Sequence, residues 1–343
     1  MKKFLITILF FTGLLGTGFA QVGSFAGAFS RLGFSARGMA MSNAMVSDVY
    51  GDINGIYNPA LATFQEEGLV NLGYSFLSLD RKLNFLGFTK KIKLPQQESG
   101  GAGITVAWIN AGVTDIDGRD NGTRQIGTFS TFENLFYLGT AFIINEKISA
   151  GVGFKLYYAS LFEDITATSF ALDFGGVYKA SDKLAFGIAL KDLGAKYEWQ
   201  TSDLYGNLGN STSDKFPFLL DIGGTYLLPD NLGIASLVLR EVFNPEPAST
   251  KANDTISSPD VNNNTLLRFG FEINVVSQVK FRAGLDRIDF ASDDFTGNLE
   301  PSFGLGLNKN LSENINLGID YSFQLEPFTH DPVQNLGIVF KFK

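Results

Sequence analysis

From Gly68 to the C-terminus the chain alternates apolar and polar residues with a period of two. Ile148, Ala150, Val152, Phe154, Leu156 and Tyr158 are separated by Ser149, Gly151, Gly153, Lys155 and Tyr157. Leu267, Phe269, Phe271, Ile273 and Val275 interleave with Arg268, Gly270, Glu272 and Asn274, and Val279, Phe281, Ala283 and Leu285 with Lys280, Arg282, Gly284 and Asp286. Successive side chains of a strand point to opposite faces, so each segment reads as a strand with one greasy face and one polar or small face. The pattern predicts about fourteen strands, over 68–79, 82–93, 101–112, 130–144, 147–161, 166–179, 183–193, 216–228, 232–241, 265–275, 278–287, 298–308, 312–323 and 334–342. Each is long enough to cross a bilayer when tilted, which takes roughly 9–11 residues. Strands of soluble proteins average about 5–6.

The links give a second signal. Short turns follow strands of even rank, as at Asn145-Glu146, Ala180-Ser181-Asp182 and Val276-Ser277, and long loops follow most strands of odd rank, at 113–129, 194–215, 242–264, 288–297 and 324–333. Outer-membrane barrels carry short periplasmic turns on one rim and longer loops on the other. The fold class expected is all-β: a transmembrane antiparallel β-barrel of about fourteen strands, closed through 68–343, with both termini on the periplasmic side. The link at Asp80-Arg81 is short for its rank, and 94–100 is long for a periplasmic turn.

Energetic cost assigns the faces. An Arg or Lys on the lipid side at mid-bilayer costs about 2–4 kcal/mol. Lys155, Asp173, Asp221 and Asp320 should therefore point inward, as should Arg268, Glu272, Lys280, Arg282 and Asp286, which share one face of two neighbouring strands. Those five either line a solute path or form a mutually neutralising network that anchors an inner segment through Arg37, Asp48 or Asp52. Buried charges need partners, which favours anchoring. Inward glycines such as Gly151, Gly153, Gly270, Gly304 and Gly306 leave space, or let a backbone come close.

Residues 21–67 do not alternate. A barrel of fourteen strands is too wide for its own side chains to fill, since about eight strands already give an interior just wide enough for that. This compact, small-residue segment is the expected plug. Within it Asn58-Pro59-Ala60 reads as a helix start, with Asn as cap and Pro at the first position, where its missing amide would be unpaired anyway.

Met1-Lys2-Lys3, the apolar run from Phe4 to Leu15 and the small residues of Gly18-Phe19-Ala20 read as a signal peptide over 1–20, cleaved before Gln21. No later stretch is apolar for about 18 residues, so no membrane helix is expected. The chain has 343 residues, no Cys, 33 Phe and a formal charge of −8. That acidity argues against nucleic acid as a partner. Zero Cys excludes disulfides, thiolate zinc sites and cysteine nucleophiles.

The remaining chemistry is sparse. Gly101-Ala102-Gly103, Gly151-Val152-Gly153 and Gly304-Leu305-Gly306 lie inside strands, not in the strand-to-helix loop that a nucleotide site needs. Asp115, Asp117 and Asp120 share a loop, but Arg119 falls where an EF-hand ligand is wanted, so a solvated loop is expected rather than a calcium site. His330, the sole histidine, lies in the last external loop without an indicated partner. No catalytic group, metal site or cofactor follows, and the protein is not expected to be an enzyme.

One stretch carries a resemblance. Gly33-Phe34-Ser35-Ala36-Arg37-Gly38-Met39-Ala40-Met41-Ser42-Asn43-Ala44, then Asp48, then Ile56-Tyr57-Asn58-Pro59-Ala60-Leu61-Ala62, resembles the opening signature of the PorV/PorQ family, within the wider FadL-like outer-membrane group. Ser42 stands where those relatives usually have Gly. The resemblance implies a fourteen-stranded barrel plugged by its N-terminal segment, with Arg37, Asn58, Pro59 and Ala60 in the plug motif. For the PorV/PorQ branch it implies a part in type IX secretion, with outer-membrane lipid, a secretion translocon or cargo signal domains as partners. For the wider FadL-like group it implies a channel for hydrophobic small molecules, the alternative reading.

Overall fold

The computed structural model describes residues 25–93, 101–162, 165–202, 206–245, 264–288, 299–326 and 331–343. The proposed signal peptide, most of the 242–264 and 288–297 loops and His330 lie outside the described residues.

The alternating segments become the strands they predict: β1 (Gly68–Phe76), β2 (Arg81–Ile92), β3 (Ala102–Arg119), β4 (Gln125–Asn145), β5 (Ile148–Phe162), β6 (Ile165–Lys179) and β7 (Leu184–Leu193). A short hairpin, β8 (Lys196–Gln200) and β9 (Ser211–Lys215), interrupts the series. It resumes with β10 (Phe218–Leu227), β11 (Gly233–Phe243), β12 (Asn264–Val276), β13 (Val279–Ile288), β14 (Glu300–Ser312), β15 (Ile315–Leu325) and β16 (Pro332–Phe342). Fourteen of these form one closed antiparallel barrel, in which β7 pairs directly with β10 and β1 pairs with β16. The closing register runs from Gly68 opposite Phe342 to Phe76 opposite Gln334. Closure leaves no edge strand within the barrel, as a bilayer demands.

Alternation sets the two faces. Phe154, Phe170, Ile188 and Leu305 stand on the outside, Phe170 at 72 % exposure. On the inside Asp173 and Arg282 are fully buried. A band of exposed Phe, Leu and Ile around a closed cylinder is the surface that hydrocarbon covers.

Two loops of the sequence reading are not plain loops. The 113–129 link is largely strand: β3 runs to Arg119 and β4 restarts at Gln125. The 194–215 link holds the β8–β9 hairpin, which folds inward, so that Tyr197 and Trp199 are buried. The ends of β3 and β4 were hidden because polar residues occupy both faces once a strand leaves the apolar zone; Lys196–Gln200 does alternate, but over only five residues and opposite the wholly polar Ser211–Lys215.

The plug runs through the lumen from the long-link half, where Phe25 lies, down to the short-turn rim at Gly68. It holds a five-residue α-helix, Ala36–Ala40, and two 3-10 helices, Ala28–Arg31 and Pro59–Phe64. The wall meets it with glycines. A Cβ on Gly151 would lie 2.7 Å from Ala60 N, one on Gly187 2.2 Å from Val46 O, and one on Gly270 2.6 Å from Met41 O. The plug backbone rests directly on the barrel backbone at these points.

Candidate functional site

Asn58 begins the Pro59–Phe64 helix as its sequence indicates. Its Oδ1 accepts the Ala60 amide at 3.0 Å, and Pro59 occupies the first position. The element is a 3-10 helix and not an α-helix. The Asn58 side chain does more than cap: its Nδ2 donates to the carbonyls of Val46 (2.8 Å), Gly176 (3.1 Å) and Ile188 (3.2 Å). One amide thus ties the helix start to the plug's own middle and to β6 and β7. Gly175 leaves room for it, since a Cβ there would overlap Asn58 Oδ1.

The other end of the motif is ionic. Ser35 Oγ accepts the Gly38 amide at 3.1 Å and starts the helix that carries Arg37. Arg37 lies 2.6 Å from Asp48 and 2.9 Å from Glu272 of β12. Glu272 also pairs with Arg282 at 2.7 Å and Lys280 at 3.1 Å, and Arg282 reaches Asp320 at 2.7 Å. Lys341 of β16 holds Asp52 at 2.8 Å. This hub counts four cations and four carboxylates, three of the eight from the plug. Burial alone would lower the Arg37 guanidinium, but Asp48, Glu272 and Asp52 hold it well above the ordinary Arg range. Burial alone would raise Asp52, but Lys341, Lys280 and Arg37 hold its carboxyl below the usual range.

Arg268 and Asp286 do not join this hub. They pair with each other at 2.6 Å, nearer the long-link rim. A third buried network runs along the wall from β5 to β11. Lys155 bridges Asp173 (2.9 Å) and Asp192 (2.7 Å), and Asp221 pairs with Lys191 (2.9 Å) and Arg240 (2.6 Å). Sequence reasoning missed Lys191, Asp192 and Arg240. Strand parity on 232–241 gives Arg240. It cannot give Lys191 and Asp192 together: the β6–β7 register slips there, Asp192 takes φ 62°, and both side chains turn inward.

Ser42 also has φ 50°, in the left-handed region where Gly is at ease. Its Oγ shares a hydrogen with Ser302 Oγ at 2.8 Å.

Among the described residues the plug borders two sizeable spaces. Above it, toward the long-link rim, is a cavity of about 820 Å³. Its floor is Phe25–Leu32 of the plug, its walls include Leu83, Ala111 and Ala159, and the β8–β9 hairpin covers one side with Tyr197 and Trp199. Tyr197 OH donates to Glu133 of β4 at 3.1 Å, and the Tyr197 ring packs on Phe216 and Trp199. Arg31 reaches the cavity floor, where burial draws its guanidinium down to about 10. Below the plug, at the short-turn rim, is a second space of about 480 Å³ beside Tyr50, Phe64, Ile143 and Ser149. Two of the three carboxylates of the 114–122 stretch pair with arginines: Asp117 with Arg119 and Asp120 with Arg124. Among the described residues no group of three or more His, Cys, Asp or Glu is placed to hold a metal ion.

A closed fourteen-stranded barrel with a plug wired to its wall and a largely apolar cavity above the plug defines a plugged outer-membrane-type barrel. Solved structures share this fold. The toluene transporter TbuX of Ralstonia pickettii matches over 92 % of this chain and 99 % of its own, with TM-score 0.58 and 13 % identity. The toluene transporter TodX of Pseudomonas putida matches over 90 % and 97 %, with TM-score 0.58 and 13 % identity. The CymD monoaromatic hydrocarbon channel matches over 92 % and 98 %, with TM-score 0.56 and 14 % identity. At these identities the likeness is one of fold. No protein-family model matches the chain, and no curated protein sequence matches it.

Proposed function

We infer that the protein is an outer-membrane channel that admits apolar small molecules. The observation that carries this reading is the cavity of about 820 Å³ above the plug, lined mostly by apolar groups such as Leu83, Ala111, Ala159 and aromatic rings, with Arg31, Arg81, Glu133 and Glu326 among its charged lining residues. Its size and lining match sites that bury small organic ligands. The exposed Phe and Leu band supports the membrane location, and the fold shared with hydrocarbon channels supports the cargo class.

The two tryptophans allow a direct test. Trp108 faces outward and Trp199 lines the cavity. In Trp108→Phe protein in detergent, toluene is expected to change Trp199 fluorescence saturably. Ala111→Phe, which projects a ring into the cavity from its wall, is expected to weaken that binding at least tenfold. Absence of a saturable change in the Trp108→Phe protein would overturn the reading.

A role in type IX secretion is the second reading, and the motif over 33–62 supports it. It predicts that the protein in mild detergent retains a translocon or cargo signal domains. Purification without such partners, together with toluene binding, would decide for the channel.

A further inference from the structure

We propose that solute passes the plug along one seam, between the plug segment 53–64 and the β4–β5 wall, and that Tyr137 sets the bore. This rests on the channel reading. Both large spaces lie against the same two strands. The upper one touches Thr131 and Glu133 of β4 and Ala159 of β5; the lower one touches Ile143 and Asn145 of β4 and Ser149 of β5. Between them the inward positions are apolar or bare: Leu135, Tyr137, Gly139 and Ala141 on β4, and Gly151 and Gly153 on β5. The one charge on this stretch, Lys155, is held toward β6 and β7 by Asp173 and Asp192.

The plug faces this seam without charge, through Gly55, Ile56, Ala60 and Leu61. It is tied there by neutral bonds only. Tyr137 OH donates to Gly55 O at 3.1 Å, Thr63 Oγ1 and Ser149 Oγ share a hydrogen at 2.9 Å, and Ser149 Oγ lies 3.0 Å from Ala60 O. On the far wall the same plug is held by Arg37–Glu272 and Asp52–Lys341. An apolar solute forcing that side would separate buried ions and offer them nothing in exchange. On the seam it separates groups that water or a neighbouring carbonyl can satisfy. The Tyr137 ring overlies Gly139 and Gly153 and the plug backbone at Pro59–Ala60 sits on Gly151, so the seam is closed and a solute must displace the ring to pass.

The chain has no Cys, so a paired substitution is the only thiol pair present. Two hydroxyl pairs are matched for it. Thr63 and Ser149 meet on the seam at 2.9 Å, and Ser42 and Ser302 meet on the far wall at 2.8 Å. The experiment compares Thr63→Cys/Ser149→Cys with Ser42→Cys/Ser302→Cys in the full chain. Uptake of radiolabelled toluene is measured in a bacterial host lacking its own hydrocarbon channel, with each disulfide verified by gel mobility. Oxidation of the seam pair is expected to cut uptake at least tenfold, with recovery on reduction. Oxidation of the far-wall pair is expected to leave uptake within twofold of wild type. Full uptake through a verified seam disulfide, or loss of uptake through the far-wall disulfide, would overturn the route while leaving the channel reading intact. If the wild type neither takes up toluene nor shows the Trp199 response, the channel reading fails and the route with it.

Discussion

Arg37 in the plug donates through Nε to Glu272 Oε2 on β12 at 2.9 Å, with both side chains buried. The same guanidinium lies against Asp48, so one cation joins two parts of the plug and one wall strand. Removing one partner of a buried ion pair typically costs about 3–5 kcal/mol, because the other charge is left without compensation. Arg37→Ala should therefore lower the folding stability in detergent by about 3 kcal/mol or more, seen as an earlier heat-induced shift on a semi-native gel. The double variant Arg37→Ala/Glu272→Ala should lose less than the sum of the singles, since the two sites share the interaction. Additive losses would show that the pair is not coupled.

The lumen glycines make a sharper comparison. A Cβ at Gly187 would press on the Val46 carbonyl, 2.2 Å away, and that carbonyl is plug backbone that cannot swing aside. At Gly176, one position earlier in the β6–β7 pairing ladder and on the other face, the nearest atom is a methyl of Ile188 at 3.3 Å. Gly187→Ala should destabilise by about 1–3 kcal/mol, the usual range for overpacking. Gly176→Ala should stay within about 0.5 kcal/mol of wild type. Equal midpoints of thermal unfolding for the two variants would count against a plug seated on glycine.

Much of this fold was legible because the bilayer enforces it. Each barrel strand must keep its apolar side chains on one face, so period two persists through β5, β12 and β13 and the strand count follows. Asn58-Pro59 was legible as a helix start because capping is local chemistry. The β8–β9 hairpin was not, because Lys196–Gln200 and Ser211–Lys215 carry no apolar alternation facing lipid. The eight-membered hub was only half visible. The inward charges of β12 and β13 follow from parity, but their choice of Arg37, and that of Lys341 for Asp52, depends on how the plug turns at Ser42 and Asn43, both with positive φ. Such turns are set by the closed barrel around them and not by the local sequence.

The tie between Asp52 and Lys341 has a defined pH sense. Lys341, Lys280 and Arg37 outweigh burial and keep the Asp52 carboxyl below its unfolded value. A carboxyl with a depressed folded pKa contributes stability that is fully present above the unfolded value, about 3.9. That contribution is lost as pH falls through the lower folded value. The plug end should thus stay fastened at pH 5 and above and loosen only in stronger acid. Asp52→Asn should remove this part of the acid sensitivity, leaving stability flatter below about pH 4. The check is a series of unfolding midpoints from pH 7 to pH 2; parallel curves for the variant and the wild type would refute the assignment.

The last prediction concerns the hairpin that covers the upper cavity. Because β7 pairs directly with β10, the barrel does not need β8 and β9 to close. What seats the hairpin is Tyr197, whose ring packs on Phe216 at 4.9 Å and Tyr157 at 6.5 Å and whose hydroxyl reaches Glu133. The Lys196 amide adds a bond to Ser169 Oγ at 2.8 Å. Truncating a buried aromatic costs about 3–5 kcal/mol in a core, and here that loss falls on the hairpin more than on the barrel. Tyr197→Ala should therefore keep the folded gel mobility of the wild type while trypsin cuts at Lys196 or Lys215 at least tenfold faster. Tyr197→Phe, which keeps the ring and loses only the bond to Glu133, should show a smaller increase. If trypsin cuts both variants at the wild-type rate, Tyr197 does not hold the hairpin down, and the cover over the cavity is fastened elsewhere.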